Sequence, residues 1–136
     1  MIRKIQIVFV LSMGVIAGVM LAQTEADFSG WMKGVAAANN GVKGSIAMKD
    51  GPAVAAAAKT LEDSFKQVEA FFSKKGTADA SKLAKSNHEA ANAMGKAATA
   101  GNWDLAQASA TTIAGSCNTC HMAHREGEKG GPYKIK

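Results

Sequence analysis

Short breaks that contain glycine divide residues 27–125 into four segments, and each segment is rich in residues that favour helices. The segments cover about residues 27–48, 52–75, 79–100 and 103–125. Valine, isoleucine and threonine are sparse in them, and no stretch alternates polar and apolar residues as a strand would. Helices of about 22 residues joined by turns of about two to four residues become antiparallel neighbours. We therefore predict an all-α fold, an antiparallel up-down-up-down four-helix bundle.

The boundaries of these segments carry residues that start or interrupt helices. Pro52 stands at the start of the second segment, where a proline is well tolerated. Thr77 and Asn102 are candidate N-caps of the third and fourth segments, because their side-chain oxygens can accept bonds from free backbone N–H groups. An Asn-Asn-Gly sequence at 39–41, followed by Gly44, predicts a kink within the first helix.

The N-terminus has the order of residues that is typical of a secretory signal peptide. Two basic residues, Arg3 and Lys4, precede a 17-residue apolar run that small residues follow. The candidate cleavage positions are after Ala22 and after Ala26. The alternative is an uncleaved anchor, because a run of this length lies at the short limit of a membrane-spanning helix. We favour cleavage, which predicts export to a bacterial periplasm and no stable membrane span afterwards.

These patterns divide the chain into three parts. Residues 1–26 are predicted to be the signal peptide, residues 27–126 the helical bundle, and residues 127–136 a tail rich in Gly and Lys with no helix pattern. The 16 Lys and Arg residues exceed the 11 Asp and Glu residues, which gives a net charge of +5. This excess is mild, and no basic patch is interleaved with aromatic residues, so nucleic acid is not an expected partner.

Only two cysteines occur, Cys117 and Cys120, and they require a chemical explanation. An exported protein can form disulfides, but a bridge across two residues closes too small a loop to stabilise much. A thioredoxin-like redox pair needs a strand followed by a helix, which is missing. A zinc site needs four ligands, and His88 and His124 are a poor substitute for a second pair of cysteines.

The sequence Cys117-Asn118-Thr119-Cys120-His121 has the form Cys-x-x-Cys-His, which is the attachment motif of c-type haem. Residues three apart lie on the same face of a helix, so both thiols can reach one edge of the porphyrin. The histidine that follows is a suitable ligand for the iron. We therefore predict one haem c, attached covalently through Cys117 and Cys120.

The four helical segments with this motif near the C-terminus resemble the class II c-type cytochromes, which include cytochrome c-prime and its low-spin relatives. The family pattern Cys-x-x-Cys-His-x-x-x-Arg is matched by Cys117, Cys120, His121 and Arg125. The segment at 31–33, Trp-Met-Lys, is similar to the one where low-spin members place their methionine ligand. The resemblance implies a haem lodged between helices at one end of the bundle, and a homodimer formed through the first two helices.

One position departs from the family pattern. Class II members often carry a basic residue, close to the haem propionates, one turn before the distal ligand, and Phe28 occupies that position here. Lys33, Lys82 and Arg125 are the candidates to replace it.

The bundle geometry also favours Met32 as the second iron ligand beside His121. In an up-down-up-down bundle, the end of the fourth helix lies beside the start of the first. Met48 and Met94 would lie about 24 Å and about 22 Å from that end, and Met122 directly follows the proximal histidine. His88 is the alternative ligand, although it falls near the middle of the bundle. The predicted pocket walls are Phe28, Trp31, Phe65, Val68, Phe71, Phe72 and Leu83.

A Met and His ligand pair leaves no open position on the iron, which favours one-electron transfer and disfavours an enzyme. Lys129, Lys134 and Lys136, together with Arg125, are placed to dock an acidic redox partner. The alternative is a five-coordinate high-spin haem that binds small gases such as nitric oxide or carbon monoxide. A peroxidase would need a distal acid-base residue, and no histidine or arginine is placed for that role.

Overall fold

A computed structural model describes residues 23–127 and 133–136 of the chain. The predicted signal peptide up to Ala22 and the tail residue Lys129 lie outside this part. The described residues form four α-helices followed by two strands of two residues each. These elements are α1 (Glu25–Ala47), α2 (Gly51–Lys75), α3 (Ala78–Thr99), α4 (Trp103–His124), β1 (Arg125–Glu126) and β2 (Lys134–Ile135).

The helices pack against one another, and the predicted all-α four-helix bundle is confirmed. The ring of Phe28, near the start of α1, lies 5.5 Å from that of Phe72 near the end of α2. Asp79 in the first turn of α3 accepts a 2.7 Å hydrogen bond from His124 at the end of α4. These four residues therefore mark one end of the bundle, which we call the motif end. The start of α1 thus lies beside the end of α2, and the start of α3 lies beside the end of α4.

The starts of the helices follow the predicted caps in part. Asn102 accepts a bond from the backbone N–H of Leu105 at 3.1 Å, as expected of an N-cap. Thr77 occupies the N-cap position of α3, but its side chain makes no capping bond. Pro52 lies in the first turn of α2, as predicted. The second and fourth helices thus begin where the sequence predicts, within one residue.

The first helix begins two residues before the predicted start, because Thr24 and Asp27 form a capping box that the sequence analysis did not identify. The Thr24 hydroxyl accepts a bond from the backbone N–H of Asp27 at 3.1 Å. The Asp27 carboxylate in turn accepts a bond from the backbone N–H of Thr24 at 2.8 Å. Two backbone donors that would otherwise lack partners are satisfied by this exchange, which fixes the start of α1.

The predicted kink in α1 is wrong, because α1 continues as one helix through residues 39–44. Val35, Val42 and Ile46 lie on its buried face on both sides of the Asn-Asn-Gly sequence. Burial of this face stabilises the helix more than the weak local propensity of glycine and asparagine destabilises it.

The core of the bundle contains few large side chains and many alanines, particularly on α3. Small side chains allow α2 and α3 to approach closely. A Cβ atom added to Gly95 on α3 would lie only 3.1 Å from the Cβ atom of Ala58 on α2. The largest fully buried side chains are Phe72, Leu61, Met94, Ile113, Val42 and Val54.

The C-terminal tail has no helix pattern, and its last residues pair with the end of α4 as a short strand. Arg125 leaves the helical conformation and pairs with Ile135 in an antiparallel arrangement. The backbone N–H of Lys136 also donates to the carbonyl of His124 at 3.0 Å. We call residues 133–136 the C-terminal strap. Sequence periodicity could not predict it, because each strand has only two residues.

Within the part of the chain that the structure describes, no helix combines the length and the apolar character needed to cross a membrane.

The close contact between α2 and α3 predicts opposite results for two glycine substitutions. Gly44→Ala adds a methyl group with nothing within 4 Å of its Cβ atom, so it should raise the free energy of unfolding by about 1 kcal/mol through helix propensity. Gly95→Ala should gain less or destabilise the protein, because its methyl group crowds Ala58. Urea unfolding followed by circular dichroism measures both variants. Equal stabilisation by the two would contradict the close approach of these helices.

Candidate functional site

The motif end of the bundle contains an apolar cavity of about 230 Å³ to which all four helices contribute. We call it the first cavity. Its lining consists of Phe28, Met32, Val35, Ala36, Asn39, Asn40, Phe65, Val68, Leu83, Ala84, Asn87, Ser116, Cys117, Cys120 and His121. The helices α1 and α4 touch each other less than the other neighbouring pairs do, which leaves this space between them.

A second cavity of about 490 Å³ adjoins the first. It lies between the start of α1, the end of α4 and the C-terminal strap, and its walls include Phe72, His124 and Arg125. Five residues line both cavities, which shows that the two are contiguous: Phe28, Met32, Ala36, Cys120 and His121. Ligand pockets in proteins range from about 300 to about 1,000 Å³, so the joined space has the size of a binding site for a large organic group.

The two cysteines lie in the last turns of α4, and both line the first cavity. Both are half-buried and form no disulfide. The Cys117 thiol donates to the carbonyl oxygen of Ile113 at 3.3 Å, a bond within α4. Both thiols therefore lie on the side of α4 that lines this cavity.

Burial raises the pKa of the Cys117 thiol above its ordinary value. The pKa of Cys120 is also raised by burial, with smaller contributions from the negative charges of Asp79 and of Cys117. Both groups are therefore protonated at neutral pH. Redox-active cysteine pairs have lowered pKa values instead, so the thioredoxin-like alternative is disfavoured.

His121 lines both cavities from α4 and is half-buried. Burial lowers the pKa of its imidazole, and the positive charge of Arg125 lowers it further. The ring is consequently neutral at pH 7, and a neutral imidazole has a lone pair available for a metal.

Met32 lines both cavities from α1, the helix that faces α4 across the gap. The other methionines among the described residues lie elsewhere. Met48 is 73% exposed, Met94 is fully buried in the core, and Met122 is 71% exposed. Met32 is therefore the methionine that the fold brings to the same space as His121, as the bundle geometry predicted.

The other two histidines have carboxylate partners. His88 lies 2.8 Å from Glu69, at the contact between α2 and α3, and it lines neither cavity. His124 bonds to Asp79, and its ring lies 5.6 Å from that of Phe72. Within residues 23–127 and 133–136, no three His, Cys, Asp or Glu side chains are grouped to hold a metal ion. The zinc alternative therefore has no support in the described residues.

Five of the seven predicted wall residues line the cavities: Phe28, Phe65, Val68 and Leu83 in the first, and Phe72 in the second. Trp31 and Phe71 are not among the residues that line these two cavities. Their rings instead meet at 6.4 Å in an edge-to-face arrangement. Both rings also pack against the ring of Phe28, which itself lines the cavities.

Arg125 lines the second cavity at the point where α4 ends. Its guanidinium group lies 3.9 Å from the centre of the Tyr133 ring, which is a cation–π contact. Lys33 also lines the second cavity, whereas Lys82 lines neither. Of the three basic residues named as candidate propionate partners, Lys33 and Arg125 thus line the second cavity.

Asn87 on α3 is a site residue that the sequence did not single out. It is only 4% exposed and lines the first cavity. Its side-chain oxygen accepts a 2.8 Å hydrogen bond from the Ser116 hydroxyl. One sequence signal could have revealed Asn87. It is a polar residue in the middle of a helical face that otherwise consists of alanines, namely Ala80, Ala84, Ala91 and Ala98.

No protein-family model, no curated protein and no solved structure matches this chain.

The raised pKa values predict slow thiol chemistry. In the folded chain with both cysteines free, Cys117 and Cys120 should react with iodoacetamide at pH 7 more slowly than glutathione does, because less thiolate is present. The same chain unfolded in urea is the control, and it should react at an ordinary rate. Faster reaction of the folded chain than of glutathione would contradict the protecting effect of burial.

Proposed function

We propose that this chain is an exported electron-transfer protein that carries one haem c, held by thioether links to Cys117 and Cys120. His121 and Met32 are the proposed iron ligands. The observation that carries the proposal is the common cavity: the Cys-x-x-Cys-His residues of α4 and Met32 of α1 line the same apolar space. No catalytic residue is proposed.

The residues around the cavities fit such a group in size and chemistry. Phe28, Phe65 and Leu83 supply apolar walls for a flat hydrophobic ring. The neutral imidazole of His121 and the thioether of Met32 are a ligand pair common in electron-transfer haem proteins. A bound haem supplies an iron that gains or loses one electron.

The residues of the chain have separate roles in this proposal. Phe28 and Phe72 line the cavities with apolar rings, which lowers the polarity around the site. Arg125 lies beside His121 and favours its neutral form. Met32 occupies the side of the cavity that a substrate or a gas would otherwise use, which supports electron transfer over binding of gases.

The surface next to His121 is suited to an acidic redox partner. Met122 is a large exposed apolar side chain on the outer face of α4. Lys136 lies beside it, and its ammonium group donates to the Met122 carbonyl oxygen at 3.4 Å. This face therefore combines an apolar contact with a positive charge, and such complementarity steers association with an acidic protein.

Export to the periplasm is part of the proposal, and the cap of α1 favours cleavage after Ala22. Cleavage there leaves Thr24 and Asp27 together, so the capping box stays complete. Cleavage after Ala26 would remove Thr24 and the first two residues of α1. It would also remove Gln23, whose side-chain amide donates to Gln67 of α2 at 3.0 Å.

The ligand role of Met32 predicts a clear response to carbon monoxide. The reduced protein should show a low-spin visible spectrum that the gas leaves unchanged, because the iron has no open position. Met32→Ala should open that position and give a spectrum that shifts on addition of carbon monoxide. Met48→Ala is the matched control, since Met48 is exposed and lines neither cavity.

If the unmodified protein binds carbon monoxide as readily as Met32→Ala does, the ligand assignment is wrong. The five-coordinate gas-binding function would then replace electron transfer as the better proposal.

The proposed cleavage position predicts that the exported protein begins at Gln23. N-terminal sequencing and the intact mass of the purified protein measure this directly. Thr24→Ala should lower the free energy of unfolding of the exported protein by about 1 kcal/mol, because the N-cap of α1 is lost. An exported protein that begins at Asp27 would contradict this position and would leave α1 without its cap.

A further inference from the structure

The C-terminal strap is held in place by both backbone and side-chain contacts. Its backbone pairs with β1, and the Lys136 N–H donates to His124. The Tyr133 ring packs on the guanidinium group of Arg125, and Ile135 packs partly buried against the core. These contacts fix Lys134, which lies between Tyr133 and Ile135, in the wall of the second cavity.

Three cationic residues of the described part of the chain line the second cavity, and they come from separate elements. Lys33 is on α1, Arg125 follows α4, and Lys134 is in the strap. None of the three forms an ion pair with a carboxylate in residues 23–127 or 133–136. Among the described residues, Glu25 is the only acidic one in the lining. The wall therefore carries an excess of positive charge next to an apolar interior.

The inner wall of the first cavity offers no such charge. Its polar residues, among them Asn87 and Ser116, are neutral. Burying a carboxylate there would cost its hydration without a compensating ion pair. A ligand with an apolar body and anionic groups at one edge is therefore favoured with that edge toward Lys33, Arg125 and Lys134.

We propose that Lys33, Arg125 and Lys134 form a cationic rim that binds the two propionate carboxylates of the haem. This inference rests on the haem c proposed above and extends it to residues outside the Cys-x-x-Cys-His motif. The strap contributes to the rim in two ways. It supplies Lys134 directly, and Tyr133 orders the guanidinium group of Arg125.

The propionate bending band in the resonance Raman spectrum of the haem-loaded protein tests this rim, because it responds to hydrogen bonds and ion pairs of those carboxylates. Lys134→Gln and Lys33→Gln should each shift the band to lower frequency, as a charged donor is lost. Lys134→Arg keeps the charge and should preserve a band close to that of the unmodified protein. Lys82→Gln is the matched control, since Lys82 is exposed and lines neither cavity.

The outcomes separate the rim from the haem itself. A band that moves in both glutamine variants but stays in place in Lys134→Arg and Lys82→Gln supports the rim. An unchanged band in Lys134→Gln, in protein that shows normal haem absorbance, overturns the rim and leaves the proposed function intact. Absence of haem absorbance from the unmodified exported protein overturns both. Far-ultraviolet circular dichroism of each variant confirms that the helices are retained.

Discussion

The apolar gap between α1 and α4 is the constraint on which the rest of the structure depends. The helices α2 and α3 approach closely through Ala58 and Gly95, but α1 and α4 stay apart at the motif end. An unfilled apolar cavity costs about 24 cal/mol per Å³ of its volume. The large side chains that line the gap, Phe28, Phe65 and Leu83, do not fill it, so a large apolar group that entered it would stabilise the fold.

The same gap determines the surroundings of the Cys-x-x-Cys-His motif. Spacing alone puts Cys117 and Cys120 on one face of a helix, but only the packing decides what that face meets. It meets a space walled by Phe28, Phe65 and Leu83, with Met32 on the facing helix. Burial keeps the thiols protonated and the imidazole of His121 neutral, since it disfavours every charged form. These conditions disfavour redox chemistry of the thiols themselves.

The four helices and much of the site could be predicted from the sequence, because both depend on local spacing. Pro52 and Asn102 mark helix starts through local chemistry, and the position of Met32 follows from helix length and direction. The prediction of a kink near Gly44 was wrong, because burial of one face of α1 outweighs the low helix propensity of glycine and asparagine. The roles of Asn87 and Lys134 depend on contacts between distant segments, Asn87 with Ser116 and the strap with the end of α4. Local patterns contain no information about such contacts.

The most direct test of the central claim is whether haem stays with the polypeptide after the purified exported protein is unfolded and extracted with acidified organic solvent. Thioether bonds resist this treatment, whereas haem held only by iron ligands is removed. The account predicts that the haem absorbance remains with the protein and is lost when Cys117 and Cys120 are both replaced by serine. A colourless protein from a host able to attach haem, or haem that passes into the solvent, would contradict it.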